Sequence, residues 1–288
     1  MVRTAPVGEA KISILDWGLL RSDATYDVVS VWHGSFFRLK DHLDRFMRSV
    51  AGLRMSLPHS RGEVRSILIE CVRRSGLRDV YVEMACTRGL APKGVMDPRQ
   101  LTNRFFAFAI PYRWIFTPEQ QERGGSVVIS PVLRIPSRSI DPRFKNYQWG
   151  NFNDALIDAY DRGALLPLLA DLEGNITEAP GANVFAVIGG RVISPARGVL
   201  EGITRQTVME LCAEAGISAE FGSLPTDSLH QANEIFLTST AGGVMPVSRL
   251  DGCIIGDGRP GPVATRIRAL YWSKREAGWY ATLADYDK

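Results

Sequence analysis

The sequence predicts an α+β fold in two domains, and three observations predict it. Strand-like and helix-like segments follow one another irregularly, without the strict alternation that builds a doubly wound sheet. At 288 residues the chain can bury more than one core. The stretch PYRWIFTPEQQERGG, marked by Pro111, Pro118 and Gly124-Gly125, interrupts the pattern. These place a small N-terminal domain at 1–111, a linker at 112–119 and a larger domain at 120–288.

In order, KISILDWGLL (11–20) reads as a strand. TYDVVSVW follows, with Tyr26, Val28, Ser30 and Trp32 on one face and Asp27, Val29 and Val31 on the other. His33-Gly34 turns it into SFFRL, a hairpin. Leu43, Phe46, Met47 and Val50 recur at helical spacing behind a candidate cap at Asp41. Arg45 sits at the edge of that apolar stripe, where it reads as a snorkelling surface arginine. Residues 61–76 form a second helix ended by Gly76. VYVEMACT alternates, with Tyr81 and Glu83 on one face; Glu83 either meets solvent or lines a cavity. A Gly/Pro-bearing loop (89–100) leads to the strand RFFAFAIP. In the larger domain SVVISPVLRI and LLPLLAD read as strands around the helix NFNDALIDAYDRGA. NVFAVIGGRVISP is a hairpin on Gly189-Gly190, ITRQTVMELCAEAG a helix, NEIFLTSTAGGVMPV a strand entering a Gly-rich turn, and GPVATRIRALYWSKREAG a closing helix.

Composition excludes several classes. The net charge is +3 with both signs interspersed, which leaves no stripe for nucleic acid. No run of eighteen apolar residues could span a bilayer, and the N-terminus lacks a signal-peptide pattern. Four scattered cysteines read as reduced thiols, so a cytoplasmic location is expected. Four histidines without HExxH spacing or a His/Cys cluster give no metal site, and no G-x-S-x-G elbow or Walker lysine is present.

One stretch, Lys145 to Thr204, gathers groups with chemical potential. There are only six lysines against 28 arginines, so a lysine beside Phe144, Tyr147, Trp149 and Phe152 draws notice. Burial there would lower its pKa and free the amine to condense with an aldehyde; a surface position is the equal alternative. Glu178 lies in ITEAPGANVF, either as a loop acid or as a carboxylate that pairs with a pyridinium nitrogen. Gly202-Ile203-Thr204 opens a helix whose N–H groups and Thr204 hydroxyl can hold an anion, although Thr204 also reads as an ordinary N-cap. Thr238 to Gly243 is a second hydroxyl-rich turn.

Taken in order, FRLKDHLDRF, VEMACTRG, FKNYQWGN, ITEAPGANVF, GVLEGITRQTV and EIFLTSTAGGVMPV resemble the class IV, fold-type IV pyridoxal-phosphate aminotransferases over nearly the whole chain. That resemblance implies a small α/β domain, a larger domain with a β-barrel-like core, and a homodimer. It implies that Lys145 carries pyridoxal 5′-phosphate, that Glu178 pairs its ring nitrogen, and that Arg45, Ile203, Thr204 and Thr240 hold its phosphate. Usual branched-chain enzymes of this group carry tyrosine five places after the lysine, where Gly150 stands here. The pattern K-N-x-Q-W-G with RSDATYDVVSVW is more similar to (R)-selective amine transaminases. This implies a pocket of Tyr26, Val28, Tyr81, Glu83 and Trp149 and transfer from an (R)-amine or amino acid to a keto acid such as pyruvate. Arg21 and Tyr81 depart from the histidine and phenylalanine often found there. Arg21 near the mouth, or Lys93 or Arg99 in the loop, would attract a carboxylate. Branched-chain or D-amino acid transfer, and aminodeoxychorismate lyase chemistry, are the alternatives.

Overall fold

Local pattern sets the elements, but two segments return to a domain their neighbours in sequence have left. The computed structural model describes residues 4–286. The chain forms two compact units: unit 1 takes it up to Arg113, then Phe144–Gln148 and the segment from Tyr280 onward; unit 2 takes Trp114–Arg143 and Trp149–Trp279. The division at 112–119 therefore misses both returns, which carry no boundary signal of their own.

Unit 1 begins with α1 (Trp17–Leu20), β1 (Ala24–Trp32), β2 (Ser35–Phe37), α2 (Leu39–Gly52), α3 (Arg61–Ser75), β3 (Val80–Thr87) and β4 (Arg104–Pro111). The strand expected at 11–20 is instead a loop closing into one helical turn. The buried Asp16 side chain accepts from Gly18 N at 2.8 Å and from the Thr87 hydroxyl at 3.1 Å, which turns the chain before it can pair. His33 (φ 49°) and Gly34 (φ 79°) are both left-handed, the twist that suits a two-residue hairpin. Asp41 does not cap α2. Arg38 holds the N-cap position without a side-chain cap, and Asp41 accepts from its guanidinium at 3.1 Å. A Ser60–Glu63 capping box starts α3, and Gly76 at φ 67° stops it. On one sheet face Val29, Val31, Val82 and Met84 pack with Leu43, Phe46, Val64 and Leu68 of the two helices.

A polar knot lies within that packing. Asp27 is fully buried, and Arg45 donates to it from Nε at 2.7 Å and Nη2 at 2.8 Å. Asp27 Oδ1 also accepts from Val28 N and contacts His42 Nδ1, each at 2.8 Å. Burial alone would raise the Asp27 pKa, but the charge and hydrogen bonds of Arg45 hold its carboxyl well below the usual range. Burial pushes the His42 pKa down. Arg45 is thus a core residue, not a snorkelling one.

Unit 2 contains α4 (Pro118–Arg123), β5 (Gly125–Ile129), α5 (Gly150–Asp161), β6 (Leu166–Leu168), β7 (Glu178–Ala179), β8 (Ala182–Ile188), β9 (Arg191–Pro195), α6 (Ile203–Glu214), β10 (Ala219–Gly222), α7 (Thr226–His230), β11 (Glu234–Ser239), β12 (Gly243–Leu250), β13 (Cys253–Ile254) and α8 (Pro262–Glu276). Part of the expected linker is thus helix α4, begun by a Thr117–Gln120 capping box. The sheet runs β10-β9-β8-β11-β12-β5-β6, with β7 on β8 and β13 on β12. Its centre is antiparallel and its flanks are parallel. Both parts feed one core, from Val127 and Leu168 to Val184, Leu237 and Met245. Glu234, buried at the start of β11, accepts from Val263 N at 3.0 Å and Ala264 N at 2.9 Å and so caps α8. The chain then re-enters unit 1 as β14 (Ala281–Leu283), completing the sheet β14-β2-β1-β3-β4. Among the described residues no helix is long and apolar enough to cross a membrane.

Two expected outcomes follow from these buried acids. Asp27→Ala strands the Arg45 cation in the core and costs about 3–5 kcal/mol, measured by chemical denaturation with a probe in unit 1. Glu234→Ala leaves two helix amides without acceptors and costs about 1–3 kcal/mol; Glu234→Gln, which keeps one acceptor, recovers part of the lost melting temperature.

Candidate active site

Lys145 is placed by its backbone. Its carbonyl oxygen accepts from the Thr25 hydroxyl at 2.6 Å and from Tyr26 N at 3.3 Å, and its amide donates to Ser49 Oγ at 3.2 Å. The return segment Phe144–Gln148 is thereby laid along β1, with Asn146 bridging Thr25. The half-buried side chain puts Nζ 4.3 Å from the Tyr26 ring centroid, a cation–π contact. The Tyr26 ring in turn stacks on Tyr147, with centroids 4.3 Å apart.

Register collects the other groups on this face. Val28 is opposite Glu83, Ser30 opposite Tyr81 and Tyr26 opposite Ala85, so Tyr26, Val28, Tyr81 and Glu83 share one side of the sheet. The Glu83 carboxylate is 9% exposed, so it lines an enclosed wall and does not face solvent. The Tyr147 hydroxyl donates to Glu83 Oε1, and the Tyr81 hydroxyl lies 3.5 Å from Oε2. Burial pushes the Glu83 carboxyl up, against the Tyr147 hydrogen bond and the Lys145 charge. Burial likewise raises both phenols, whose anions would face that carboxylate. The side chain of Asp27, which pairs with Arg45, leaves β1 on the opposite face.

Unit 2 holds the second group of candidates. Glu178 is a buried strand residue of β7 and not a loop acid. Its Oε1 accepts from Arg134 Nε at 2.9 Å and its Oε2 from Leu200 N at 2.9 Å. The Arg134 guanidinium also rests 4.4 Å over the Phe152 ring. Glu178 is opposite Asn183 on β8, and Asn183 is opposite Thr238 on β11, so the three form one row on the sheet. The start of α6 meets this row. Asn183 Nδ2 donates to Leu200 O at 2.9 Å, and a Cβ on Gly202 would come within 2.0 Å of Asn183 Oδ1. Gly202, not Thr204, is the N-cap of α6, and it has no side chain to cap the first amides. Ile203 and the buried Thr204 are therefore the first two helical residues, whose N–H groups lack intrahelical acceptors. The Thr238 hydroxyl is buried without a hydrogen-bond partner. Half-buried Thr240 lies in the turn between β11 and β12.

The remaining expected substrate residues are dispersed. Arg21 is exposed, its guanidinium 3.4 Å over the Trp17 ring. Lys93 is exposed in its loop, and Arg99 there is paired with Asp97 at 2.6 Å. Trp149 belongs to unit 2, where it packs edge-on against Phe152. Sequence reasoning missed Arg134, Asn183 and Leu200 as supports of Glu178, and Tyr147 as the group that joins Glu83 to Tyr26. The available signal was an arginine closing the apolar run ISPVLRI.

Comparison with known proteins identifies the family. The family Amino-transferase class IV matches residues 24–250. A protein of Methanocaldococcus jannaschii, provisionally named a branched-chain-amino-acid aminotransferase, is 32% identical over 266 residues, covering 91% of each chain. The D-alanine aminotransferase of Bacillus licheniformis is 29% identical over 90% of each. Among solved structures, a T.th. branched-chain amino acid aminotransferase with pyridoxamine 5′-phosphate superposes with a TM-score of 0.91 at 30% identity, covering 97% of this chain and 95% of that one. The chain is thus a transaminase of fold type IV and belongs to the class IV aminotransferases.

Proposed function

We propose that this pyridoxal 5′-phosphate-dependent aminotransferase moves the amino group of a branched-chain or D-configured amino acid to a keto acid. The observation that carries the donor class is its likeness, over 91% and 90% of the chain, to relatives named for those two activities. A second reading, transfer from an (R)-amine to pyruvate, is favoured by Gly150, which stands where the usual branched-chain tyrosine would be, and by a pocket wall bearing Glu83.

The residues fit the cofactor. A buried carboxylate already oriented by Arg134 and a backbone amide suits a protonated ring nitrogen. In the same neighbourhood of unit 2, the uncapped start of α6 suits a phosphate, and the Thr238 hydroxyl still has a hydrogen bond to give. A half-buried amine held over the Tyr26 ring, itself stacked on Tyr147, suits the aldehyde. In this reading Lys145 would anchor the cofactor, Glu178 would pair with its nitrogen, and Ile203, Thr204 and Thr240 would hold its phosphate together with Arg45, which its pair with Asp27 keeps oriented. Tyr26, Val28, Tyr81, Glu83 and Trp149 line the substrate pocket, while Arg21 and Lys93 draw in a substrate carboxylate.

When bound, pyridoxal phosphate supplies an electron-withdrawing ring that lowers the cost of removing a proton from the substrate Cα. The Lys145 Nζ would take that proton and return one. The Thr25 and Tyr26 hydrogen bonds to its carbonyl keep its backbone fixed while the side chain swings. Tyr26, Tyr81 and Tyr147 exclude water from the amine with their rings. The same reading makes the protein a cytoplasmic homodimer.

A donor panel with pyruvate as acceptor tests the reading. L-Leucine or D-alanine is expected to outpace both enantiomers of 1-phenylethylamine at least tenfold. Preference for the (R)-enantiomer over both amino acids would assign the second reading. Release of pyruvate from aminodeoxychorismate without alanine formation would overturn transfer altogether. Lys145→Ala lowers turnover by about 10²–10⁴-fold or more and abolishes the pH-dependent near-visible band of the purified protein.

A further inference from the structure

The wall beside Lys145 carries a buried acid that the transfer chemistry does not use. Glu83 is buried, and both its oxygens are engaged by phenol hydroxyls, from Tyr147 and Tyr81. An ionised carboxylate, which only accepts, suits two such donors. The Tyr147 ring stacks on Tyr26, and the Tyr26 ring carries the Lys145 amine at 4.3 Å. Glu83 is therefore one aromatic ring removed from the ring that holds the reacting nitrogen. Its cross-strand partner Val28 continues the same face as an apolar surface.

The substrate carbon that exchanges nitrogen has to reach Lys145 Nζ. Besides its nitrogen and hydrogen it carries two substituents, and because the Lys145 charge acts on Glu83, a substituent directed toward this wall meets the acid. We infer that Glu83 is a specificity-determining residue that restricts the substrate to at most one carboxylate, admitting monocarboxylate or carboxylate-free substrates and rejecting dicarboxylates such as 2-oxoglutarate. This rests on the aminotransferase reading above.

The electrostatics support the direction. A five-carbon dicarboxylate places its second carboxylate only about 4–5 Å from the reacting carbon, so it cannot avoid this wall by reach. Like charges in a partly buried site are weakly screened. Two cations act on Glu83, Lys145 and Arg113. Lys145 is committed to the cofactor, and Arg113 is exposed, so water and salt screen it far more than they screen the buried acid. Nor can the acid turn away, because phenols on two separate segments hold its two oxygens. The wall bears on one substituent of the reacting carbon, so a single carboxylate on the other remains admissible.

The test compares ligands that differ in one group. Pentanoate and glutarate have the same length, with a methyl group in one where the other has a carboxylate. Their dissociation constants for the holoenzyme are measured by calorimetry in mildly alkaline buffer. Pentanoate is expected to bind at least tenfold tighter in the wild type, and Glu83→Gln is expected to shrink that ratio about tenfold. In turnover, the preference for pyruvate over 2-oxoglutarate narrows in the same variant, with any donor the enzyme accepts. Equal binding of the two acids to the wild type overturns the inference without recourse to a variant. So does an unchanged ratio in a Glu83→Gln protein that retains the wild-type melting temperature. Binding is read without catalysis, so absence of transfer in the donor panel would sink the aminotransferase reading while leaving this measurement interpretable.

Discussion

The carbonyl oxygen of Lys145 is the point on which the chemistry depends. A lysine side chain has four rotatable bonds and by itself specifies no position for its amine. Here the hydroxyl and the amide of two adjacent β1 residues grip the backbone at its base, and Ser49 of α2 accepts the amide on the other side. Fixing a residue's backbone costs about 1–2 kcal/mol of entropy, and the clamp meets that cost during folding. The clamp acts on the backbone alone, and the root of the side chain stays against the sheet face that carries Tyr26 and Glu83.

Of the buried acids, Asp27, Glu234, Glu178 and Glu83 are satisfied in four different ways, and the differences match what each can do. Asp27 is saturated by a guanidinium, a histidine and its neighbour's amide, which leaves it a structural anchor for Arg45. Glu234 spends both oxygens on helix amides. Glu178 receives one arginine and one amide, so it is held in orientation without being enclosed by cations. Glu83 receives only phenols, and its carboxyl is the one that burial pushes upward. The excess of arginine, 28 against six lysines, follows the same logic. A planar guanidinium can pair two-pronged with a buried carboxylate, as at Asp27, or with a half-buried one, as Arg88 does with Asp23, where an ammonium would remain a single charge.

Much of the fold and part of the site were legible from local pattern. The alternation in β1 and β3 correctly put Tyr26, Val28, Tyr81 and Glu83 on matching faces, because side-chain period in a strand is fixed by the backbone. The Gly189-Gly190 hairpin was legible because two left-handed residues in succession demand such a turn. Residues 11–20 misled because apolar character does not reveal whether a partner strand exists. Arg45 misled because its partner lies on β1, eighteen residues earlier. Thr204 misled because a threonine two places into a helix resembles a cap when a glycine fills the cap position. The supports of Glu178 are separated from it by tens of residues, and no local window joins them.

The return of β14 to β2 has a consequence for biogenesis. Leu283 is opposite Ser35 and Ala284 N donates to Gly34 O at 3.0 Å, so the first hairpin synthesised is completed by residues made after the whole of unit 2. While ribosomes elongate residues 38–280, β2 stays an open sheet edge with unsatisfied amides, the type of surface that seeds misassembly between nascent chains. Its shortness, three residues, limits that exposure until the finishing strand arrives.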